Sequence, residues 1–186
     1  MNYIRLFIVL VTITFSSQTF ALSDEALFQR ARTSYAAKNE FALVEEASQL
    51  KDQQYLLAPY ADYWLMLLRL QQNTVRDEEV QNFLAQYIDM PFTDRVRGEW
   101  LKKLGKEQNW APFFDEYALF KREDIAVLCY ALQGHQLLGD AEVTAQAKTL
   151  WLTPSELPSQ CTPVFDALQA SGALTNEDIW ARFRLL

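Results

Sequence analysis

Glycine, proline and histidine are scarce in this chain, and each shortage removes a class of protein. Five glycines and six prolines in 186 residues are too few turn-formers for the closely spaced hairpins of a β-sandwich or barrel. One histidine and two cysteines fall short of the four ligands of a structural zinc site. No cofactor is expected. The nucleophile turn Gly-x-Ser-x-Gly does not occur, so a Ser-His-Asp reading of His135 has no support. A Cys129–His135 pair fails as well, because six residues along a helix put the two side chains on different faces. His135 reads as structural or exposed.

Basic charge is also in short supply. Seventeen Lys and Arg stand against 24 Asp and Glu, for a net charge of −7. The densest basic cluster, Lys102, Lys103 and Lys106, is interrupted by Leu104 and Gly105 and flanked by Glu99 and Glu107. It reads as a solvated helix end, and a nucleic-acid partner is not expected. Long apolar runs are missing too. Leu6–Phe15 is the longest and is too short to cross a bilayer.

That run has its own meaning. Met1–Ala21 carries one early charge, Arg5, then the apolar run, then a polar stretch ending Thr19-Phe20-Ala21. This is the pattern of a secretory leader, with the small residues Thr19 and Ala21 at the two positions a signal peptidase reads and cleavage expected after Ala21. No cysteine lies at the junction to take a lipid, so a soluble exported protein of residues 22–186, one domain, is expected. In an oxidising compartment Cys129 and Cys161 can form a disulfide; the alternative is two buried thiols acting as small apolar groups.

What the chain does have is apolar residues at three- and four-residue intervals, the spacing of helices. Ser23 can cap a helix over about 24–38 with Leu27, Ala31 and Tyr35 on one face. Asn39 can start a second through Phe41, Val44, Ala47 and Leu50. Pro59 suits the first turn of a third, with Tyr60, Tyr63, Trp64, Leu67 and Leu68. Val80, Phe83, Leu84 and Tyr87 mark a fourth after Asp77. A fifth begins at Pro91, runs through Val96, Trp100, Leu101 and Leu104 and is ended by Gly105; Trp110, Phe113, Phe114 and Tyr117 mark a sixth. Cys129 to Leu152 is a helical hairpin joined at Leu138-Gly139-Asp140, Gly139 suiting the left-handed turn and Asp140 the next cap. After a loop at Pro154–Pro158, Cys161 opens a ninth helix to Ala170, and a tenth runs from Asn176 to the last residue. Pairs starting near 24, 59, 91, 123 and 162 repeat at the period of helical arrays. The expected fold is all-α, an α-superhelix of stacked helical hairpins, whose aromatic residues read as the layers between pairs.

Three stretches carry a resemblance: Ala58-Pro59-Tyr60-Ala61-Asp62-Tyr63-Trp64; then Phe83-Leu84 through Arg97-x-x-Trp100-Leu101 to Asn109-Trp110; then Cys129-Tyr130-x-Leu132 through Leu138-Gly139-Asp140 and Ala147-Lys148-x-Leu150-Trp151-Leu152 to Cys161. Their order and spacing resemble the N-terminal helical region of the soluble lytic murein transglycosylases, periplasmic enzymes that cleave peptidoglycan glycan strands. The resemblance implies a U-shaped α-superhelix and peptidoglycan as partner. It also implies that the chemistry lies elsewhere, in a lysozyme-like C-terminal domain built around a glutamic acid followed by serine.

No Glu-Ser dipeptide, Gly-x-Met-Gln or Ala-Tyr-Asn occurs here, so no catalytic residue is assigned and the chain alone is expected to be inactive. Asp62, Asp115 and Glu116, each beside aromatics, are the acids to inspect for glycosidic-bond protonation; all three read as helix-surface acids. Two roles follow: a non-catalytic scaffold that helps hold glycan strands, or a periplasmic helical-repeat adaptor for a protein partner. The tenth helix, with Ile179, Trp180, Phe183, Leu185 and Leu186, is expected to expose an apolar edge, with Trp180 and Phe183 as an association surface for a catalytic domain or a second copy.

Overall fold

In a computed structural model of the chain, residues 23–140 and 142–185 are described. The expected leader Met1–Ala21, its cleavage point after Ala21, and Leu186 lie outside them. Among the described residues there are ten α-helices and no strand.

Several helix starts follow from the residue that caps them. The Ser23 side chain accepts from the Ala26 N–H to open α1 (Asp24–Ala36), and Asn39 accepts from Ala42 to open α2 (Glu40–Asp52). Each satisfies an N–H that the helix itself leaves unpaired. In α3 (Ala58–Gln72) Pro59 sits in the first turn, where its missing N–H is not needed. Then come α4 (Asp77–Gln86), α5 (Thr93–Lys106) and α6 (Trp110–Tyr117). The hairpin of α7 (Ile125–Leu137) and α8 (Val143–Trp151) turns at Gly139, which takes φ +77°. Asp140 there accepts from the Glu142 N–H, just ahead of the helix. A 3₁₀ turn, Ser159–Cys161, leads into α9 (Thr162–Ala170), and α10 spans Asn176–Phe183.

Five expectations need correction. The buried face of α2 is Leu43, Glu46, Ala47 and Leu50; Phe41 is 89% exposed and Val44 40%. Both stripes have helical spacing, and it is the contact with α1 and α3 that selects between them. Gly105 does not end α5. It lies inside the last turn and is buried, because a Cβ there would stand 2.4 Å from the ring of Tyr130; α5 also starts at Thr93, beyond Pro91. Cys161 ends the 3₁₀ turn and precedes α9 rather than opening it. Helix α10 stops at Phe183, short of the last residue.

The odd-numbered helices α1, α3, α5, α7 and α9 pack successively on one another, while α2, α4, α6 and α8 lean on them without extensive contact among themselves. A close row beside a splayed row curves the stack toward the close row, which is the geometry of an α-superhelix. Three apolar cores follow one another along it. Leu27, Leu43, Leu50 and Leu68 fill the first; Leu67, Val96, Trp100, Leu104 and Phe113 the second; Leu132, Val143, Ala147, Val164 and Leu168 the third.

Within the third core the sulfurs of Cys129 and Cys161 stand 1.96 Å apart, with Cα–Cα 4.9 Å. They fasten α7 to the start of α9 across a sequence separation of 32. In the chain-entropy account a bridge over such a loop contributes about 3–4 kcal/mol. Thiol titration of the denatured, unreduced protein should find no free thiol, and Cys129→Ala with Cys161→Ala should lower the urea midpoint correspondingly. Two titratable thiols per chain would contradict the pairing.

Candidate functional site

Helix α5 lies at the middle of the close row, between α3 and α7. Arg95, Glu99, Lys102 and Lys106 fall at intervals of four, three and four along it, so they share one stripe. A cleft of about 330 Å³ opens over this stripe, walled by Gln71 and Asn73 at the end of α3, Tyr130 of α7 and Gln160. A second, of about 240 Å³, continues it through Lys106, Tyr130 and Gln160 to Gln133 and Ser159. Together they make one groove lined by lysine, amide and hydroxyl groups around a single aromatic ring, with Leu70 and Pro163 and two carboxylates, Glu99 and Glu107, each of which lies against a lysine. That set of donors and acceptors suits a polyhydroxylated ligand and has no group placed as a nucleophile.

Two of the lysines are not the solvated ends that the sequence suggested. Lys102 Nζ bridges Glu99 at 3.2 Å and Asp124 at 2.8 Å, and Lys103 Nζ bridges Asp77 at 2.8 Å and Glu107 at 3.1 Å. Trp100 donates its indole N–H to the same Asp77 oxygen at 2.9 Å, and Asp124 accepts from the Ala126 and Val127 N–H groups as the cap of α7. Burial alone would lower the Lys102 and Lys103 ammoniums, yet Asp124 and Glu99 in one case, Asp77 and Glu107 in the other, outweigh it and raise them. Lys106 makes no ion pair among the described residues. The lysines and the flanking Glu99 and Glu107 were visible in the sequence; the other two acids that hold them, Asp77 of α4 and Asp124 of the α7 cap, lie too far along the chain to be paired by spacing.

None of the three inspected acids is set up for proton transfer. Asp62, expected on a helix surface, is instead buried: Lys51 Nζ lies 2.8 Å away and the Tyr87 hydroxyl donates to it. Burial and this hydrogen bond push the Tyr87 phenol far above its ordinary value. Asp115 is exposed as expected, and Glu116 is held 3.1 Å from Arg97. The buried carboxylate that sequence reading missed is Glu46, whose Oε1 lies 3.4 Å from Arg30; a glutamate among the acids of an exposed-looking helix gave no signal. His135 is partly exposed, its ring 4.5 Å from that of Phe114. Cys129 is taken by Cys161. Trp180 and Phe183 lie far along the stack on α10 and are 60% and 73% exposed.

The acids that anchor the groove set a pH limit. Burial pushes the Asp77 and Asp124 carboxyls up, but Lys103 and Trp100 on one, and Lys102 with the α7 N–H groups on the other, leave both below the ordinary 3.8. A depressed folded value means stability present above the unfolded value and lost as pH falls through the folded one. Urea midpoints should therefore hold from neutral pH down to about pH 4 and fall below it. Asp77→Asn should lower the midpoint at pH 7 and flatten the acid slope; an unchanged slope would show that this carboxylate does not carry it.

No family model matches the sequence, and no curated protein does. Solved structures do. The lytic transglycosylase Slt of Pseudomonas aeruginosa, in the structure of its inactive mutant, is 28% identical over 86% of this chain with a TM-score of 0.68, and 25% of its own length is covered. The 70-kDa soluble lytic transglycosylase in complex with bulgecin A is 21% identical over 87% of this chain, with a TM-score of 0.66 and 26% of its length covered; at that identity the likeness is one of fold alone. This chain thus spans about a quarter of the length of the enzymes it matches. It is a helical stack with a lytic transglycosylase-like fold.

Proposed function

We propose that the chain is a non-catalytic scaffold of murein-transglycosylase type, exported to the periplasm, whose groove along α5 holds peptidoglycan strands. The observation that carries the reading is the fold likeness to the Pseudomonas aeruginosa enzyme. Two further findings support it. The groove offers lysine, amide and phenol groups to a polyhydroxylated chain, and the acids inspected for glycosidic chemistry are buried in an ion pair, exposed, or bound to arginine. Glycan cleavage then belongs to a catalytic domain outside these residues.

Purified protein should co-sediment with insoluble peptidoglycan and release no 1,6-anhydro-muropeptides from it. Lys106→Glu with Gln71→Ala, both at exposed positions, should reduce the bound fraction several-fold without changing the helical circular dichroism. Release of product that a single Asp or Glu substitution abolishes would overturn the non-catalytic reading, and absence of binding would overturn the glycan reading.

The alternative role, an adaptor for a protein partner, draws support from α10. Its polar residues face the stack: Lys148 Nζ lies 3.1 Å from Asp178, Trp151 donates to the Asp178 carbonyl, and Arg182 donates to the Trp151 carbonyl and lies over its ring. Its aromatics, Trp180 and Phe183, face outward in an edge-to-face pair 5.8 Å apart. We propose that this face associates with a second copy. Sedimentation velocity at tens of micromolar should show dimer for the wild type and monomer for Trp180→Asp with Phe183→Asp. A monomeric wild type would contradict self-association and leave the face to another protein.

A further inference from the structure

Two arginines reach one small hollow without an ion pair. Arg95 of α5 and Arg122, in the loop between α6 and α7, line a space of about 260 Å³ with Asp94, Glu99, Asp124 and the ring of Phe120. The three carboxylates there are already engaged. Asp94 lies 3.3 Å from Arg97 and accepts from the Lys121 N–H; Glu99 and Asp124 share Lys102. Neither Arg95 nor Arg122 has a carboxylate at ion-pair distance among the described residues. They come from separate elements, one from α5 and one from the loop after α6, and line the same hollow. Two guanidiniums without a carboxylate partner thus line one hollow, and an anion seated there would supply the partner that both lack.

The hollow continues through Phe120, Arg122 and Asp124 into a second of about 390 Å³, whose apolar wall is Tyr117, Phe120, Ile125 and Leu128. Phe120 can form the shared wall because residue 98 is glycine; a Cβ there would stand 3.0 Å from its ring. Ile125 is 41% exposed. An occupant must therefore present one anionic group next to one apolar group. The fixed acids around the arginines, with Glu123 on the rim, oppose a multiply charged anion such as a nucleic-acid backbone. A planar carboxylate matches the guanidinium fork.

We propose that this double hollow binds the C-terminus of a short peptide segment with an apolar last residue. The terminal carboxylate lies between Arg95 and Arg122, and the last side chain rests on Phe120, Ile125 and Leu128. This is capture of a chain end by charge and pocket together. The site is separate from the Lys106 end of the groove, so loss of glycan binding leaves it standing.

The test uses fluorescein-labelled Ala-Ala-Leu with a free C-terminal carboxylate, the same peptide as its C-terminal amide, and inorganic phosphate as competitor, read by fluorescence anisotropy on the full chain. The free acid should bind about tenfold or more tightly than the amide, as charge-assisted hydrogen bonds imply. Arg95→Gln with Arg122→Gln, both at exposed positions, should erase that difference while amide binding and circular dichroism stay as they were. Ile125→Ser should weaken acid and amide by the same factor. Equal binding of acid and amide, no binding of the acid up to millimolar peptide, or displacement by phosphate at the same concentration as by unlabelled peptide would each overturn the proposal.

Discussion

The stack depends on helices that are apolar on two sides at once, and α7 is the clearest of them. Val127 and Ala131 belong to the core with Trp100, Leu104 and Phe113, while Cys129 and Leu132 belong to the core with Val143, Val164 and Leu168. Helix α3 is divided in the same way, with Ala58, Ala61 and Leu68 turned to the first core and Met66, Leu67 and Leu70 to the second. Each such helix is a wall common to two cores, so disturbing it opens both. This is the coupling that makes a one-dimensional array cooperative.

Close approach of the walls rests on missing side chains. Gly105 lets α5 meet Tyr130 of α7, and Gly134 lets α7 meet Trp110 and Phe114 of α6, where a Cβ would stand 2.7 Å from the Trp110 ring. At Gly105 alanine would raise helix propensity by about 1 kcal/mol. The contact at 2.4 Å involves the stem of the tyrosine as well as its ring, so the residue cannot swing aside, and overpacking of about 1–3 kcal/mol outweighs the gain. Tyr130 lines both halves of the groove, so the packing of α5 on α7 also sets the groove's width. The ion pairs act at the same place: Lys103 joins α5 to α4 through Asp77, and Lys102 joins it to the cap of α7 through Asp124. Being partly shielded, these pairs hold donor and acceptor positions fixed before any ligand arrives.

Much of this was legible in local sequence. Ser23, Asn39, Pro59 and Gly139 each act within a few residues of themselves, and the structure uses them as caps and turns. The two cysteines could be read as a pair or as two buried thiols, and the structure sets their sulfurs 1.96 Å apart. What failed was whatever depends on a neighbour from elsewhere in the chain. The choice between the Phe41–Val44 stripe and the Leu43–Ala47–Leu50 stripe of α2 is made by α1 and α3. Gly105 looks like a terminator to any local rule, and only the presence of Tyr130 25 residues later shows it to be a contact. Asp62 looks like a surface acid until Lys51 and Tyr87 close over it. The groove belongs to this second class throughout, since its walls come from α3, α5, α7 and the 3₁₀ turn.

Helix α10 reverses the rule that the other nine obey. It has no fully buried residue, and what ties it down is charge and backbone: Asp178 to Lys148, Arg182 to the carbonyls of Trp151 and Ser155. Thr175 and Asp178 close a reciprocal capping box at its start, which fixes the helix internally without adding apolar contact. Attachments of this kind weaken with ionic strength, whereas the apolar cores do not. The end of the stack is therefore the part whose docking responds to salt, and it is also the part that carries the outward aromatic pair. Trp180 and Phe183 thus stand on a helix attached by screened charges, whereas α3 and α7 are locked between two cores.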